Sequence, residues 1–301
     1  MTNWEPRDAS VLAWIERAAG RGSRVASVTR MPTSSTEKHL IEVQHDDGST
    51  VSLVLRRYHD PDRLGIDPWY VAANEARALE LLDGTPVPAP RLFASDVRPE
   101  ICDVPALLES WVPGEQAWQP KELDAYLASA AEVLVKIHAV IPPADGSFAV
   151  YRPYFADDLK HELVPAWSAH RAMWERVSSY IEGRRPATPA RFIHRDYHPG
   201  NVLWDGERVT GVVDWATAAI GPAGIDLARM RQNLAGWHGA AVAERFTARY
   251  VASGGDPDAR DPFWDLLDAV DSVAYKDEPG APGEGDVGRF EDYVAGVLAE
   301  V

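Results

Sequence analysis

Three side chains suited to chemistry lie close together in and after the stretch FIHRDYHPGNVLW, residues 192–204. Asp196 and Asn201 are five positions apart, and Asp214 follows eighteen positions after Asp196. A carboxylate can orient a hydroxyl group and accept its proton, while carboxylate and amide oxygens are ligands that suit Mg²⁺. The residue types and their spacing therefore indicate phosphoryl transfer to a hydroxyl, with Asp196 as the base and Asn201 and Asp214 as metal ligands.

The sequence after this loop is expected to bring Asp214 back to it. NVLWDGERVTGVVDW has apolar runs on both sides of Asp205-Gly206, a pair that favours a tight hairpin turn. Two short strands joined by such a turn place Asp214 beside Asp196. The alternative is that Asp196 and Asn201 are only turn-forming residues, which leaves the returning aspartate unexplained.

The segment HRDYHPGN, residues 194–201 and here named the catalytic loop, has the H-R-D-x-x-x-x-N spacing of kinases. Together with GVVDWATAAIGPAGIDLA it resembles the aminoglycoside phosphotransferase family, small-molecule antibiotic kinases related in fold to protein kinases and choline kinase. These motifs cover residues 192–228. Trp215-Ala216 follows Asp214 in place of the Phe-Gly of protein kinases, and there is no A-P-E segment. The chain is therefore more similar to antibiotic and metabolite kinases than to protein kinases.

The elements that must position these residues are separated along the chain. β-branched runs predict strands at 24–30, 38–46, 49–58, 91–97 and 104–112, with one helix at 67–82, whereas helical patterns dominate after residue 115. This predicts an α+β fold with two lobes. The resemblance makes it protein-kinase-like, with a nucleotide-binding lobe at 1–111, a mainly helical catalytic and substrate-binding lobe at 112–301, and a hinge near 109–115.

A kinase needs a basic residue on its third strand, paired with a glutamate of the following helix. In VSLVLRRY the alternation places Val54 and Arg56 on one face of the strand and Leu53 on the other. Arg56 is therefore predicted to hold the nucleotide phosphates and Glu75 to be its partner. Arg57, on the opposite face, is the competing candidate, and an exposed helix position is the alternative for Glu75.

The resemblance also implies a set of residues around the nucleotide. The segment MPTSSTEKH (31–39) lacks glycine, so hydroxyls and amides of this loop are expected to approach the phosphates, and strand and hinge residues are expected to enclose adenine. This departure from the glycine-rich pattern leaves open whether the nucleotide is ATP or GTP. The implied residues are Ser34, Ser35 and Thr36 in the loop and Val54, Glu109, Trp111 and Leu203 around adenine.

Several polar residues near the motifs are interpreted as scaffolding. His194, Arg195 and His198 are expected to hold the shape of the catalytic loop. His138 is expected to be a hydrogen-bonded structural histidine, and Asp226 to brace the loop from a helix N-terminus.

Two acidic groups are candidates for binding the acceptor. Asp265 and Asp268 follow Asp261 at helical spacing, on the side opposite an apolar face, and Asp157, Asp158 and Glu162 form a second group. Both would attract a cationic acceptor, but a solvated helix face explains the first equally well. The eleven tryptophans favour a large, partly apolar acceptor or a quaternary ammonium instead, although most are expected to lie in the core.

The composition restricts the partners. The formal net charge of −16 disfavours broad contact with nucleic acid or anionic membranes. A single cysteine, a polar N-terminus and the lack of a long apolar run are typical of a cytoplasmic protein, expected to be a monomer or a homodimer.

The sequence thus predicts a kinase that uses ATP or GTP and Mg²⁺ to phosphorylate a hydroxyl of a small molecule, with an antibiotic of aminoglycoside or macrolide type as the leading acceptor. A housekeeping kinase of choline, homoserine or a thioribose is the alternative. A catalytically silent kinase-like protein that binds nucleotide is a third possibility, disfavoured because every catalytic and metal residue is present.

Overall fold

The computed structural model describes residues 9–32, 36–59, 70–153, 164–182, 184, 186–273 and 279–301. These residues form two compact units. The first contains the described residues up to Gly84, with Ala89–Val112 and Trp215–Thr217; the second contains those of Thr85–Pro88, Pro113–Asp214 and Ala218–Val301. The main division follows Val112, next to the predicted lobe boundary at 111/112.

The first unit is built on a five-stranded antiparallel sheet in the order β1-β2-β3-β5-β4. Its strands are β1 (Ser23–Met31), β2 (Glu37–His45), β3 (Thr50–Arg57), β4 (Leu92–Asp96) and β5 (Ala106–Ser110). As the sequence predicts, Asp47-Gly48 forms the turn between β2 and β3, with Gly48 at φ 82°.

Two helices accompany this sheet, α1 (Ala9–Ala19) and α2 (Ala72–Leu82), whereas the sequence pattern predicts only α2. The missed helix α1 buries Val11, Trp14 and Ile15, which have the i, i+3, i+4 spacing of an apolar helix face. It packs on the sheet face that carries Ile41 and Leu53. The opposite face, with Val54 and Arg56, therefore stays separate from this core.

The second unit is mainly helical, as predicted. Its helices are α3 (Leu123–His138), α4 (Arg171–Glu182), α5 (Gly224–His238), α6 (Ala240–Ala252), α7 (Pro262–Val273) and α8 (Val287–Leu298). Short strands are β6 (Glu115–Gln116), β7 (Ala190–Ile193), β8 (Val202–Trp204), β9 (Val209–Val212) and β10 (Ala219–Pro222). The predicted hairpin at Asp205-Gly206 joins β8 to β9, and Gly206 has φ 99°.

The core of the second unit surrounds α5, which is buried along almost its whole length and packs against α6, α7 and α8. Trp174, Phe263 and Phe290 are fully buried in this core. Among the described residues, no helix is long and apolar enough to cross a membrane.

Candidate active site

The catalytic loop joins β7 to β8 and is fixed through its backbone. Arg195 has φ 70°, an uncommon conformation for a residue with a side chain. The amides of His194 and Arg195 donate to the two carboxylate oxygens of buried Asp226, at 2.8 and 2.6 Å. His138 contacts the same carboxylate through Nε2 at 3.2 Å and Tyr250 through Nδ1 at 2.9 Å. Asp226 therefore braces the loop, and His138 is a structural histidine, as predicted.

His194 is held as a neutral imidazole beneath the loop. Its Nδ1 accepts the amide of Asp196 at 3.2 Å, so its Nε2 carries the proton and donates to the carbonyl of Val213 at 3.0 Å. Burial lowers the pKa of this histidine, although Asp226 opposes the shift. His194 therefore supports the base without exchanging protons with it.

The Asp196 carboxylate lies among three polar side chains and remains 27% exposed. Its Oδ2 is 3.4 Å from His198 Nε2 and accepts Asn201 Nδ2 at 3.1 Å, while Oδ1 is 3.6 Å from Arg229 Nε. Burial by itself raises the pKa of Asp196, but His198 and Arg229 outweigh it and hold the pKa well below its usual range. The carboxylate is therefore ionised at neutral pH and able to accept a hydrogen bond from a hydroxyl.

Asn201 and Asp214 are brought together by the β8–β9 ladder. The amide of Val213 donates to the carbonyl of Asn201 at 2.9 Å, and Asp214 follows with φ 68°. Asn201 Nδ2 donates to the carbonyl of Asp196 at 3.0 Å as well as to its carboxylate, which directs Oδ1 away from that residue. One amide oxygen and one carboxylate are the hard donors that suit Mg²⁺.

The described residues contain no cluster of three or more His, Cys, Asp or Glu able to hold a metal alone. In kinases, Mg²⁺ is shared between one or two protein side chains and the substrate phosphates. The donor set of Asn201 and Asp214 fits such a shared ion.

In the first unit, Arg56 and Glu75 form the ion pair that the sequence predicts. Arg56 Nη1 donates to Glu75 Oε1 at 2.8 Å, and both side chains are buried. Glu75 also accepts the hydroxyl of Tyr58 and, at 3.0 Å, the amide of Trp215, the residue after Asp214 in the chain. Glu75 is therefore a buried residue with these three hydrogen-bond partners and not an exposed helix residue.

Arg57, the competing arginine, lies on the other face of β3. It bonds to Glu37 and Asp103 there, so it has no part in the pair with Glu75.

The sequence profile of the phosphotransferase enzyme family, APH, matches residues 34–263. The chain belongs to this family. The prediction of a small-molecule kinase is thereby confirmed at the level of the family.

Solved structures show that the phosphotransferase shares its fold with antibiotic kinases. Macrolide 2'-phosphotransferase from Brachybacterium faecium is 21% identical, with a TM-score of 0.57 over 96% of this chain and 93% of that one. A thermostable aminoglycoside phosphotransferase APH(4)-Ia, solved with ADP and hygromycin B, is 18% identical, with a TM-score of 0.58 over 96% of both chains. The predicted α+β, protein-kinase-like fold is confirmed.

A curated relative of the phosphotransferase acts on sugars. The N-acetylmuramate/N-acetylglucosamine kinase of Pseudomonas putida is 30% identical over 118 residues, 35% of this chain and 33% of the relative. The match therefore spans about a third of the relative's length.

The residues that the resemblance places around adenine differ in their exposure to solvent in the phosphotransferase. Val54 and Glu109 face each other across β3 and β5 and are buried, whereas Leu203 lies half-buried in β8. Trp111 is 38% exposed, and its amide donates to the carbonyl of Ser52 at 3.0 Å. This amide is already engaged within the sheet, so a contact from Trp111 to adenine has to come from its carbonyl or its ring.

Only one of the three predicted phosphate-loop residues of the phosphotransferase can be described. Thr36 is 2% exposed, and its buried hydroxyl has no hydrogen-bond partner among the described residues. Ser34 and Ser35 lie outside the described residues.

The acidic face of α7 is not solvated, which corrects one of the two interpretations of that helix. Asp265 and Asp268 are 3% and 2% exposed. Asp265 Oδ1 accepts Arg231 Nε at 3.0 Å, and Asp268 Oδ1 lies 2.9 Å from Arg229 Nη2. Burial raises the pKa of Asp268 to about 7, although Arg229 opposes the shift. The second predicted acidic group, Asp157, Asp158 and Glu162, lies outside the described residues.

Arg229, which the sequence motifs do not indicate, contacts the predicted base of the phosphotransferase. Arg229 is three residues after Asp226 in α5, and residues with that spacing share a helix face. Since Asp226 was expected to brace the catalytic loop, the same face could have pointed to Arg229. His198, interpreted as scaffolding alone, also contacts the Asp196 carboxylate.

Proposed function

We propose that this phosphotransferase transfers the γ-phosphoryl group of ATP to a hydroxyl of a small molecule. The observation that carries the proposal is the arrangement of the second unit, in which the partly exposed Asp196 carboxylate accepts a hydrogen bond from Asn201 and the β8–β9 ladder brings the backbone before Asp214 to Asn201. This arrangement supports Asp196 as the base and Asn201 and Asp214 as the metal ligands that phosphoryl transfer requires.

Each residue has a separate task. Asp196 accepts a hydrogen bond from the acceptor hydroxyl and directs its oxygen toward the γ-phosphorus. As the oxygen–phosphorus bond forms and the bond to ADP breaks, the hydroxyl proton passes to Asp196. A carboxylate of low pKa is a weak base, and late proton transfer to a weak base suits a loose transition state.

The nucleotide phosphates need positive charge. Asn201 and Asp214 would hold Mg²⁺, which when bound neutralises the phosphate oxygens and orients them. Arg56, fixed by Glu75, adds positive charge on the sheet of the first unit. ATP is the preferred nucleotide in this proposal because a neighbour of the same fold was solved with ADP.

An antibiotic is the leading acceptor class. The structural neighbours include a macrolide 2'-phosphotransferase and an aminoglycoside phosphotransferase bound to hygromycin B, and this chain matches over nine tenths of each. The similarity to the N-acetylmuramate/N-acetylglucosamine kinase favours a second candidate, a housekeeping kinase of an amino sugar or similar metabolite.

A substrate panel tests the proposal. Aminoglycosides, macrolides, choline, homoserine, thioribose and N-acetylated amino sugars are incubated with enzyme, Mg²⁺ and either ATP or GTP, and each is scored by mass for the gain of one phosphoryl group. We expect one class to gain this mass only when nucleotide and Mg²⁺ are both present. A protein that binds neither nucleotide and modifies no hydroxyl compound would contradict the proposal.

A further inference from the structure

Helix α5 contacts the catalytic loop at two points. Asp226 holds the backbone of the loop, and Arg229, three residues later in the same helix, lies beside the Asp196 carboxylate. Arg229 Nε is 3.6 Å from Asp196 Oδ1, whereas Asn201 Nδ2 and His198 Nε2 lie near Oδ2. The two oxygens of the predicted base therefore face different partners, and Arg229 lies on the Oδ1 side.

Arg229 is in turn held by helix α7. Its Nη2 lies 2.9 Å from Asp268 Oδ1, and its Nη1 donates to Ser272 Oγ at 2.8 Å. Asp268 and Ser272 are four residues apart, so they lie on the same face of α7. Two contacts from one helix fix the guanidinium plane, and its Nε then lies on the side of Asp196.

The Asp268 carboxylate has a second partner on α5. Its Oδ2 accepts Gln232 Nε2, which also donates to Ser272 Oγ at 2.8 Å. Arg229 and Gln232 are three residues apart, so they share the face of α5 that meets Asp268 and Ser272. Four side chains from two helices thus restrict one another, and a side chain restricted in this way can hold a neighbouring functional group in place.

A second arginine–aspartate pair joins the same two helices in the interior. Arg231 is fully buried, and its guanidinium contacts Asp265 of α7 at 3.0 Å and Glu244 of α6 at 2.7 Å. Packing of the three helices accounts for this pair. Arg229 differs because its side chain is 12% exposed and lies beside Asp196, where the acceptor hydroxyl has to approach in the proposed function.

The physical effect of Arg229 is on the orientation of the base. The terminal torsion of an aspartate side chain is broad, so a carboxylate with contacts on one side only can rotate. Asn201 near Oδ2 and Arg229 near Oδ1 restrict this rotation from both sides. A hydroxyl is directed at phosphorus only if the oxygen that accepts its hydrogen bond keeps its place, so this restriction bears on the rate of transfer.

We propose that Arg229 is a positioning residue for the base, which Asp268 and Ser272 hold so that it fixes the Asp196 carboxylate toward the acceptor hydroxyl. This inference rests on the proposed kinase function and extends the catalytic machinery to helix α7, beyond the motifs of the catalytic loop. It also assigns Asp268 a different task from the one predicted from the sequence, because Asp268 acts through Arg229 and not on the acceptor.

Steady-state kinetics with an accepted acceptor test the role of Arg229. We expect kcat to fall about 10–100-fold for Arg229→Met, with the affinity for MgATP by calorimetry unchanged, because a misplaced base slows transfer and leaves nucleotide binding intact. Arg229→Lys should recover part of the loss, since it keeps the charge but not the planar fork. Arg260→Met is the matched control and should keep the wild-type kcat: Arg260 is 16% exposed, and it pairs with Asp265 of α7 at 3.6 Å and with Glu300.

A double-mutant cycle tests whether Asp268 acts through Arg229. Asp268→Asn keeps the shape of the side chain and should lower kcat about 10-fold. The double variant should be no slower than Arg229→Met alone, because the contact that Asp268 controls is already lost.

Circular dichroism establishes that each variant is folded. Burial raises the pKa of Asp268 to about 7 against the effect of Arg229, so in Arg229→Met this carboxyl becomes protonated and leaves no unpaired charge in the interior. If Arg229→Met does not fold, the double variant, which removes both charges together, takes its place in the comparison of kcat with the wild type.

The outcomes separate this inference from the proposed function. A wild-type kcat for Arg229→Met or for the double variant would overturn the inference and leave the kinase proposal in place. Multiplying losses in the double variant would overturn the role of Asp268, because Asp268 would then act by another route. A wild-type chain that binds no nucleotide and phosphorylates no compound would contradict the proposed function itself, and the inference would fail with it.

Discussion

At the scale of single residues, the candidate site depends on a few side chains that serve several partners each. Glu75 bonds to Arg56, Tyr58 and the amide of Trp215. Asp226 holds two consecutive amides of the catalytic loop. Since such groups are buried, losing one partner leaves the others without compensation, and the cost exceeds that of an exposed ion pair.

Replacing Glu75 tests this argument. Glu75→Gln keeps the shape of the side chain but removes the charge that compensates the buried Arg56 guanidinium. We expect the free energy of unfolding to fall by about 3 kcal/mol. This is toward the lower end for a broken buried ion pair, because the Glu109 carboxylate stays 4.0 Å from Arg56 Nη1. The melting temperature should fall by roughly 6–12 °C in calorimetry.

Glu80 is the matched control, because it is an exposed glutamate on the same helix α2. Glu80→Gln should change the free energy of unfolding by no more than about 0.5 kcal/mol. Equal effects of the two variants would mean that the Glu75 ion pair does not contribute to stability.

For single residues, the sequence predicted the candidate site where the chemistry requires a fixed spacing between residues. The H-R-D-x-x-x-x-N pattern and the returning aspartate identified Asp196, Asn201 and Asp214 as candidates, and strand alternation separated Arg56 from Arg57. Arg229 was not identified, because it lies outside the catalytic-loop motif; its sequence signal is its spacing of three residues from Asp226 in α5.

At the scale of elements, turn chemistry determines how the strands present these residues. The Asp47-Gly48 turn pairs β2 with β3, and this register places Lys38 opposite Arg56. Gly48 has φ 82°, which is strained for any residue with a Cβ atom, and open space surrounds it. A substitution of Gly48 is therefore expected to change stability through the backbone conformation and not through a steric clash.

Two glycine variants test this claim with opposite expected signs. Gly48→Ala should lower the free energy of unfolding by about 1 kcal/mol or more, because alanine disfavours a positive φ. Gly296 lies inside α8 with nothing near its Cβ position, so Gly296→Ala should raise stability by about 0.5–1 kcal/mol. Melting temperatures that change in the same direction for both variants would contradict the assignment of the turn.

The sequence predicted most elements because apolar periodicity is local. The five strands of the first unit lie within three residues of their predicted bounds. The burial of the α7 aspartates was harder to predict. They are buried because polar side chains of α5 pair with them, namely Arg229, Arg231 and Gln232. A helix with charged residues on one side is solvated only if no neighbouring helix supplies opposite charges, and that information is not contained in its own sequence.

At the scale of the whole molecule, charge restricts how a nucleotide can bind. The chain has 46 acidic and 30 lysine or arginine residues, so its long-range field repels a nucleoside triphosphate. In the proposed function, binding of the nucleotide therefore depends on local cations and on Mg²⁺. The acceptor is not predicted at this scale, because net acidity is common to many unrelated proteins.

The central claim is that Asp196 orients and deprotonates the acceptor hydroxyl, and its direct test is the transfer rate of Asp196→Asn. Steady-state kinetics with an accepted substrate are compared for the wild type, Asp196→Asn and Asp205→Asn, a control at the exposed turn of the next hairpin. We predict that kcat falls about 10²–10⁴-fold for Asp196→Asn, with MgATP affinity unchanged, and stays at the wild-type value for Asp205→Asn. A wild-type kcat for Asp196→Asn would contradict the account.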